Sequence, residues 1–313
     1  MGSLRPFRFG VTTHLADSKA AWVAKARRAE ELGYAILLFP DHLNDQFAPF
    51  VGLSAVAEAT QTLRIGTCVF NNDFRHPVML AREAATLDFL SGGRFELGLG
   101  AGWQKVDYER VGIPFDAPGV RISRLKESVR LVKKLFADEP VTFSGTYYQV
   151  TDYQGLPKPL QRPYPPLMLA GGSKRMLSIA GREADIISIN PAVQSDGNSI
   201  DMQDAAQEAT ARKIGWIREA AGERFDAIEL NILVFAVIRT DTLPKDAEMK
   251  ATGVAAGVTG DQPLQGIYVL AGTVDQICEQ VLANREQFGI SYISVFEKDM
   301  EAFAPVVARL SGK

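Results

Sequence analysis

Short apolar runs recur along this chain at a steady interval. They occupy residues 7–13, 35–41 and 64–70, and a fourth begins at Phe95. Their starts lie 28, 29 and 31 residues apart, with an amphipathic stretch in each gap. A strand, a helix and another strand at that spacing form a βαβ unit, and several in a row predict a parallel sheet covered by helices. An open doubly wound sheet and a closed barrel both satisfy the pattern, and both put binding residues where the strands end. The rhythm returns at residues 166–172, 184–190, 229–238 and 292–296. Helical stretches alternate with these runs. The first is capped by Asp17 or Ser18, carries Trp22, Ala26, Ala29 and Leu32 on one face, and ends at Gly33. Others are expected at 52–60, after His76-Pro77, at 121–137, after Ser173, and at 201–221, 273–289 and 300–310, with Thr273 and Gln276 spaced as a capping box. Eight strands and eight helices are the count of a (β/α)8 TIM barrel, an α/β fold.

Two stretches break the rhythm. They are read as insertions after the fourth helix (about 138–165) and after the seventh strand (about 241–271), within one domain spanning residues 1–313. In the first, residues 141–150 read as a hairpin around Ser144-Gly145, and five prolines between Pro157 and Pro166 make a stiff connector. The second has no clear period. A hydrophobic share of 46% is ample for a core, and a net charge of −3 offers no basic field for nucleic acid and no polybasic membrane patch. No apolar run reaches the roughly 18 residues that cross a bilayer. The opening residues enter a strand almost at once, so no signal peptide is expected, and Cys68 and Cys278, far apart and in different contexts, are not expected to form a disulfide framework or a zinc site. The expectation is a reduced, cytoplasmic protein acting on a small molecule.

The residues at the strand ends are where chemistry is expected: His14, Asp41, His42, residues 68–72, Ala101, Gly102, Trp103, Gly171, Gly172, Ser173, Asn190 and Glu297. Only three histidines exist, and no three His, Asp or Glu residues have metal-like spacing, so a metal site is not expected. A single loop histidine is commonly a surface residue. Asp41 and His42 both terminate a buried run, however, and imidazole exchanges protons near neutral pH, which favours a functional reading for His42. At Gly171-Gly172-Ser173 a strand gives way to a helix. Either this is an ordinary tight turn with a serine cap, or its unpaired amides and the helix dipole form an anion site next to Lys174 and Arg175. Residues 98–102 lack the full dinucleotide-binding glycine spacing. Aromatics near these ends, among them Phe39, Phe70, Phe74, Trp103 and Tyr108, fit either a wide apolar cavity or core packing.

Several short motifs then fall in one order. They are Phe39-Pro40-Asp41-His42, Leu63-Arg64-Ile65-Gly66-Thr67, Arg75-His76-Pro77, Ser91-Gly92-Gly93-Arg94, Leu97-Gly98-Leu99-Gly100-Ala101-Gly102-Trp103 and Leu169-Ala170-Gly171-Gly172-Ser173. Together they resemble the bacterial luciferase-like monooxygenase superfamily over nearly the whole chain, and most of all its branch that uses the deazaflavin coenzyme F420, with the flavin mononucleotide (FMN) branch close behind. The resemblance implies a flavin-type ring across the carboxyl ends of the strands and its phosphate at Ala170, Gly171, Gly172, Ser173 and Lys174. It also implies a non-proline cis peptide at Cys68-Val69 behind the ring, and Asn71 and Asn72 near the ring's polar edge. His14, Ala101, Gly102, Trp103 and Asn190 complete the expected cofactor contacts. Asp41 and His42 match the Asp-His pair of the branch's sugar-phosphate dehydrogenases. Trp103 stands where those enzymes carry a catalytic glutamate, so sugar-phosphate oxidation is not carried over, and a more apolar substrate is expected.

The leading expectation is therefore hydride transfer between reduced coenzyme F420 and an apolar organic substrate, with His42 moving the proton and Asp41 orienting it. The alternative keeps the fold and uses FMN reduced by a separate reductase to oxygenate a substrate. A third is a non-catalytic flavin-binding or structural relative. A homodimer is expected, since relatives often form one.

Overall fold

Eight parallel strands close on themselves in the order in which the chain supplies them. The structure is a computed structural model that describes residues 5–194, 196–197, 199–242 and 267–313. The first half runs β1 (Arg8–Thr12), α1 (Lys19–Glu31), β2 (Ile36–Phe39), α2 (Pro49–Ala59), β3 (Arg64–Thr67), β4 (Phe70–Asn71), α3 (Pro77–Leu90), β5 (Phe95–Gly100), α4 (Lys105–Val111) and α5 (Pro118–Phe136). There follow β6 (Val141–Ser144), β7 (Gln149–Tyr153), β8 (Leu167–Gly171), α6 (Lys174–Glu183), β9 (Ile186–Ile189), α7 (Gln207–Ala221), β10 (Glu229–Val234) and β11 (Ala236–Arg239). The chain ends with β12 (Val269–Gly272), α8 (Val274–Phe288), β13 (Ile290–Phe296) and α9 (Met300–Leu310). The ladder β1-β2-β3-β5-β8-β9-β10-β13 returns to β1 and is parallel throughout, which makes it the expected TIM barrel.

Local signals act as anticipated at most helix ends. The Ser18 hydroxyl accepts the Ala21 N–H at 3.1 Å, Gly33 leaves α1 at φ +82°, and the Thr273–Gln276 capping box is formed. Five details differ from the sequence reading, the first being that Val269–Gly272, begun inside the expected loop at 241–271, is strand β12. The run at 64–70 is two strands, β3 and β4, separated at Cys68-Val69. The run at 229–238 is also two, and its second part, β11, leaves the barrel to pair in parallel with β12. In the 201–221 stretch the α-helix begins only at Gln207, after a 3-10 turn at Met202–Ala205. The short helix α4 was not anticipated. The hairpin is present as antiparallel β6 and β7, and its tip is held by Glu127 of α5, whose carboxylate accepts the N–H groups of Thr146, Tyr147 and Tyr148. Most of the expected loop at 241–271, namely residues 243–266, lies outside the described residues. No described helix is long and apolar enough to cross a membrane.

Alternation along the strands makes two cores. Outward residues pack under the helices, as where Phe9 meets Phe303 edge to face and Trp22 meets Phe39. Ile36, Leu38, Met168, Ile186 and Tyr292 form a separate cluster, with Cys68 and Val69 packed against it. The amino-terminal end of the barrel is closed by charge. Arg8 bonds Glu96 at 2.7 Å and Glu229 at 2.6 Å, and its guanidinium lies 4.4 Å from the centre of the Tyr292 ring. Arg64 bonds Glu96 at 2.6 Å. Parallel strands put all their carboxyl ends at the other rim, so that rim is the one left to chemistry.

Burial by itself would raise the Glu96 carboxyl, but Arg8 and Arg64 outweigh it and hold the group below the usual carboxylate value. The stability it contributes is complete above the unfolded-chain value of about 4.3 and is lost as pH falls through the lower folded-state value. Urea unfolding should show Glu96→Gln costing about 3 kcal/mol at neutral pH, where it leaves two half-buried cations short of a partner, and progressively less below about pH 4. A cost independent of pH would remove Glu96 from the acid response.

Candidate active site

The carboxyl-terminal rim is organised around a break in one strand. Main-chain pairing of β3 with β5 reaches Gly66 and Glu96, and resumes in β4 at Phe70 and Asn71 opposite Leu99 and Gly100. Between these pairings the Thr67 hydroxyl takes over, donating to Gly98 O at 2.9 Å and accepting from Gly98 N at 3.0 Å. The Cys68-Val69 peptide is cis, as the resemblance implies. The crossing is tight enough to require glycine. A Cβ on Gly98 would lie 1.8 Å from Thr67 O, and one on Gly100 would lie 2.6 Å from the Val69 side chain. The Cys68 thiol lies 3.9 Å from the Ser188 hydroxyl, and burial pushes it up to about 11, so it is not a thiolate at neutral pH.

Asp41 and His42 both reach this rim, but they are not partners. The Asp41 carboxylate is gripped by the Arg75 guanidinium through both oxygens and also accepts the Asn71 N–H at 3.0 Å. A carboxylate this buried needs a matched cation, and the planar fork of arginine supplies two bonds. The expectation that Asp41 orients His42 is therefore corrected. His42 Nδ1 instead lies 2.7 Å from Asp107 Oδ2, while Asp107 Oδ1 accepts the Leu43 N–H at 3.3 Å. Asp107 reaches inward because α4 is a helix, which turns Asp107 and Tyr108 to the core and leaves Glu109 outside, paired with Lys105. His42 Nε2 has no hydrogen-bond partner among the described residues. Trp103 stands edge-on to the His42 ring, with centroids 5.8 Å apart.

Asn71 and Asn72 are buried beside these groups. Asn71 Oδ1 lies 3.0 Å from the Tyr108 hydroxyl and 3.1 Å from the Asp73 N–H. Asn72 Nδ2 donates to the Tyr148 hydroxyl of the hairpin at 3.2 Å, while its Oδ1 is buried with no partner. Ala101 and Gly102 follow β5. Gly102 takes φ +74°, and a Cβ there would lie 1.9 Å from the Tyr108 hydroxyl. Across the rim, Gly171 and Gly172 end β8 and Ser173 caps α6, accepting the Met176 N–H at 3.3 Å. A Cβ on Gly172 would meet Asn190 O at 2.6 Å. Arg175 turns away to bond Gly119 O and the Ser123 hydroxyl, so of the two cations noted there only Lys174 is left exposed and without a partner among the described residues. His14 is exposed after β1, and its ring bonds none of the other candidates. Glu297 is paired with Lys25 at 2.7 Å. Sequence reasoning named Arg75 in a motif and Tyr108 as a strand-end aromatic but missed their roles, and missed Tyr148 altogether, because each acts through a residue distant in the chain.

A family model described as luciferase-like monooxygenase matches residues 1–251. The chain belongs to this family. An FMNH(2)-dependent dimethylsulfone monooxygenase of Pseudomonas putida is 28% identical to it over 204 residues, covering 65% of this chain and 51% of that protein. An F420-dependent glucose-6-phosphate dehydrogenase of Kineococcus radiotolerans is 36% identical over 168 residues, covering 51% of this chain and 49% of that one. The chain thus matches about half the length of these curated relatives. The solved structure of the coenzyme F420-dependent tetrahydromethanopterin reductase of Methanopyrus kandleri has the same fold, with a TM-score of 0.77 at 19% identity, covering 98% of this chain and all of that one.

As a luciferase-like protein the chain has relatives that use F420 and relatives that use FMN, and its rim suits a flavin-type group on physical grounds. Gly172 and Ser173 lead into a helix whose first-turn N–H groups have no intrahelical acceptor, and Ser173 takes only that of Met176. Asn72 adds a buried amide oxygen with no bond of its own. The glycine crossing that shapes this rim can be tested by stability. Gly98→Ala should cost about 3 kcal/mol or more in urea unfolding, because its methyl meets a main-chain oxygen. Gly215→Ala, in an exposed turn of α7 with open space around it, should gain about 0.5–1 kcal/mol. Equal effects would mean that β3 and β5 are not held this close.

Proposed function

We propose that this luciferase-like oxidoreductase transfers hydride between coenzyme F420 and an apolar organic substrate. The observation that carries the reading is His42: its Nδ1 is held by the buried Asp107, and its Nε2 is left unbonded at the rim beside Trp103. A carboxylate on Nδ1 fixes the tautomer in which Nε2 can accept a proton, and it stabilises the imidazolium that results. Trp103, in place of a carboxylate, adds apolar surface next to this base and so favours a substrate without charge at the reacting end.

Gly171, Gly172, Ser173 and the amino terminus of α6 would hold the cofactor's phosphate, with Lys174 adding charge. Cys68 and Val69 would back the ring, Asn71 and Asn72 would meet its polar edge, and Ala101, Gly102 and Asn190 would border it. When bound, the cofactor would supply hydride in its reduced form and accept it in its oxidised form; His42 would deliver a proton to the substrate in the first direction and take one from it in the second. A cytoplasmic homodimer of single-domain protomers belongs to the same proposal. A separate reductase enters only if FMN proves to be the cofactor, a reading that the dimethylsulfone monooxygenase relative favours.

Fluorescence quenching of oxidised F420 and of FMN by the purified protein decides between the two. Tight F420 binding with weak FMN binding is the expected result, and the reverse replaces hydride transfer by oxygenation. Binding of neither would support the non-catalytic alternative. In anaerobic assays of F420H2 oxidation with carbonyl and enone acceptors, His42→Ala should lower turnover about 10²–10⁴-fold while F420 affinity stays near wild type. Unchanged turnover would take His42 out of the mechanism. Gly172→Val should weaken F420 binding at least about tenfold, since its side chain would push into Asn190 and the amide approach. Retained affinity would place the phosphate elsewhere.

A further inference from the structure

One buried cation has no part in the chemistry described so far. Lys213 of α7 has a side chain at 0% exposure, a state that lysine almost never reaches unless its charge is matched. Its ammonium has three donors and meets three acceptors. These are Asn190 O at 2.9 Å, Asp204 O at 2.9 Å and Asp204 Oδ2 at 2.5 Å. Asp204 Oδ2 also accepts the Ala192 N–H at 2.7 Å, and Asp204 Oδ1 pairs with Arg212 at 3.1 Å. Ala192 O in turn receives the Asp201 N–H at 2.8 Å. The ammonium therefore ties residues 190–192, which leave β9, to the turn Met202–Ala205.

The tied segment is the wall on which Gly172 rests. A Cβ on Gly172 would lie 2.6 Å from Asn190 O, 2.8 Å from Pro191 C and 2.9 Å from Ala192 N. The Asn190 N–H donates to Gly171 O at 3.0 Å. Residue 190 is thus gripped on both sides, its N–H by β8 and its carbonyl by Lys213. Stability alone gives α7 little reason to bury a lysine there. Ile214 and Ile217 on the same helix are buried, and an apolar side chain would fill the site without desolvating a charge. What a charged, three-donor group adds is a defined position for the carbonyl it holds.

The geometry points to Lys213 as a positioning residue of the anion cradle. It acts through the Asn190 carbonyl and Asp204 to set the 190–192 backbone against Gly172, and so sets the opening through which the amides that follow β8 would meet a phosphate. The identity of that phosphate rests on the proposed function; the placement of the loop does not.

Hydrogen exchange of the full, unloaded chain reads the placement without any cofactor. In Lys213→Met, the bonded amides of Asn190 and Ala192 should exchange about tenfold or more faster, while those of β5 and β13 keep their wild-type rates. Oxidised F420 should bind about tenfold more weakly to the same variant, and Lys213→Gln, which keeps two donors, should restore part of both properties. Unchanged exchange in a folded Lys213→Met overturns the proposal. So does exchange raised equally in β5 and β13, or faster local exchange with F420 affinity unaltered. If Lys213→Met does not fold, Lys213→Gln decides by the same criteria. Faster exchange confined to the Asn190 and Ala192 amides, in a protein whose wild type binds no F420, upholds the positioning role and overturns the cofactor assignment instead.

Discussion

The rim of this barrel depends on how closely β3 and β5 approach each other. Between a conventional ladder at Gly66 and another at Asn71, the two strands are joined only through the Thr67 hydroxyl and Gly98. That contact exists because Gly98 and Gly100 have no side chains to oppose it. With the strands so close, Cys68 and Val69 are turned into the barrel, and β4 carries Asn71 and Asn72 to the edge of the mouth. Asn71 then supplies the N–H that helps to hold Asp41. One steric condition, met by two glycines, thus places four candidate cofactor contacts and fixes the last residue before His42.

Charge at the rim is almost wholly matched. Asp41 is taken by Arg75, Asp107 by His42, Glu297 by Lys25, and Asp204 by Lys213 and Arg212. In a medium of low polarity an unmatched charge is too costly to keep, so each of these groups is spent on holding backbone or orienting a neighbour. Among the described residues, what remains available includes His42 Nε2, the buried Asn72 Oδ1, a set of helix-start amides and the exposed Lys174. This division suits a site in which a bound organic group does the electron chemistry, while the protein binds it, shields it and moves a proton.

The opposite end shows the same economy. Arg8, Arg64, Glu96 and Glu229 close the amino-terminal end of the barrel, and Tyr292 and its apolar neighbours fill the space between that cluster and Cys68. One end therefore serves stability and the other serves function, as is general for parallel barrels. Relatives that use F420 and relatives that use FMN are both found for this chain, so the fold alone does not choose its cofactor.

Much of the fold was legible because its signals are local. A period-two apolar run, a serine or threonine cap, a glycine at a helix end and a spacing of about 30 residues each act within a few turns of chain, and together they determined eight strands, their order and the rim at which to look. The motif at residues 97–103 and the glycines before α6 were legible for the same reason. The short helix α4 was not, because seven residues carry too little periodicity to read, and with it went the inward direction of Asp107. The branching of β11 away from the barrel was hidden within an unbroken apolar run. Partner choice was hidden most completely. Asp41 adjoins His42 in sequence, yet it bonds Arg75, 34 residues on, while His42 bonds Asp107, 65 residues on. Lys213 carries no local signal that separates it from the other polar residues of α7. The sequence by itself determined the elements and the rim; only the tertiary structure decided which buried charge meets which, because that depends on distances set when separate βα units close into a ring.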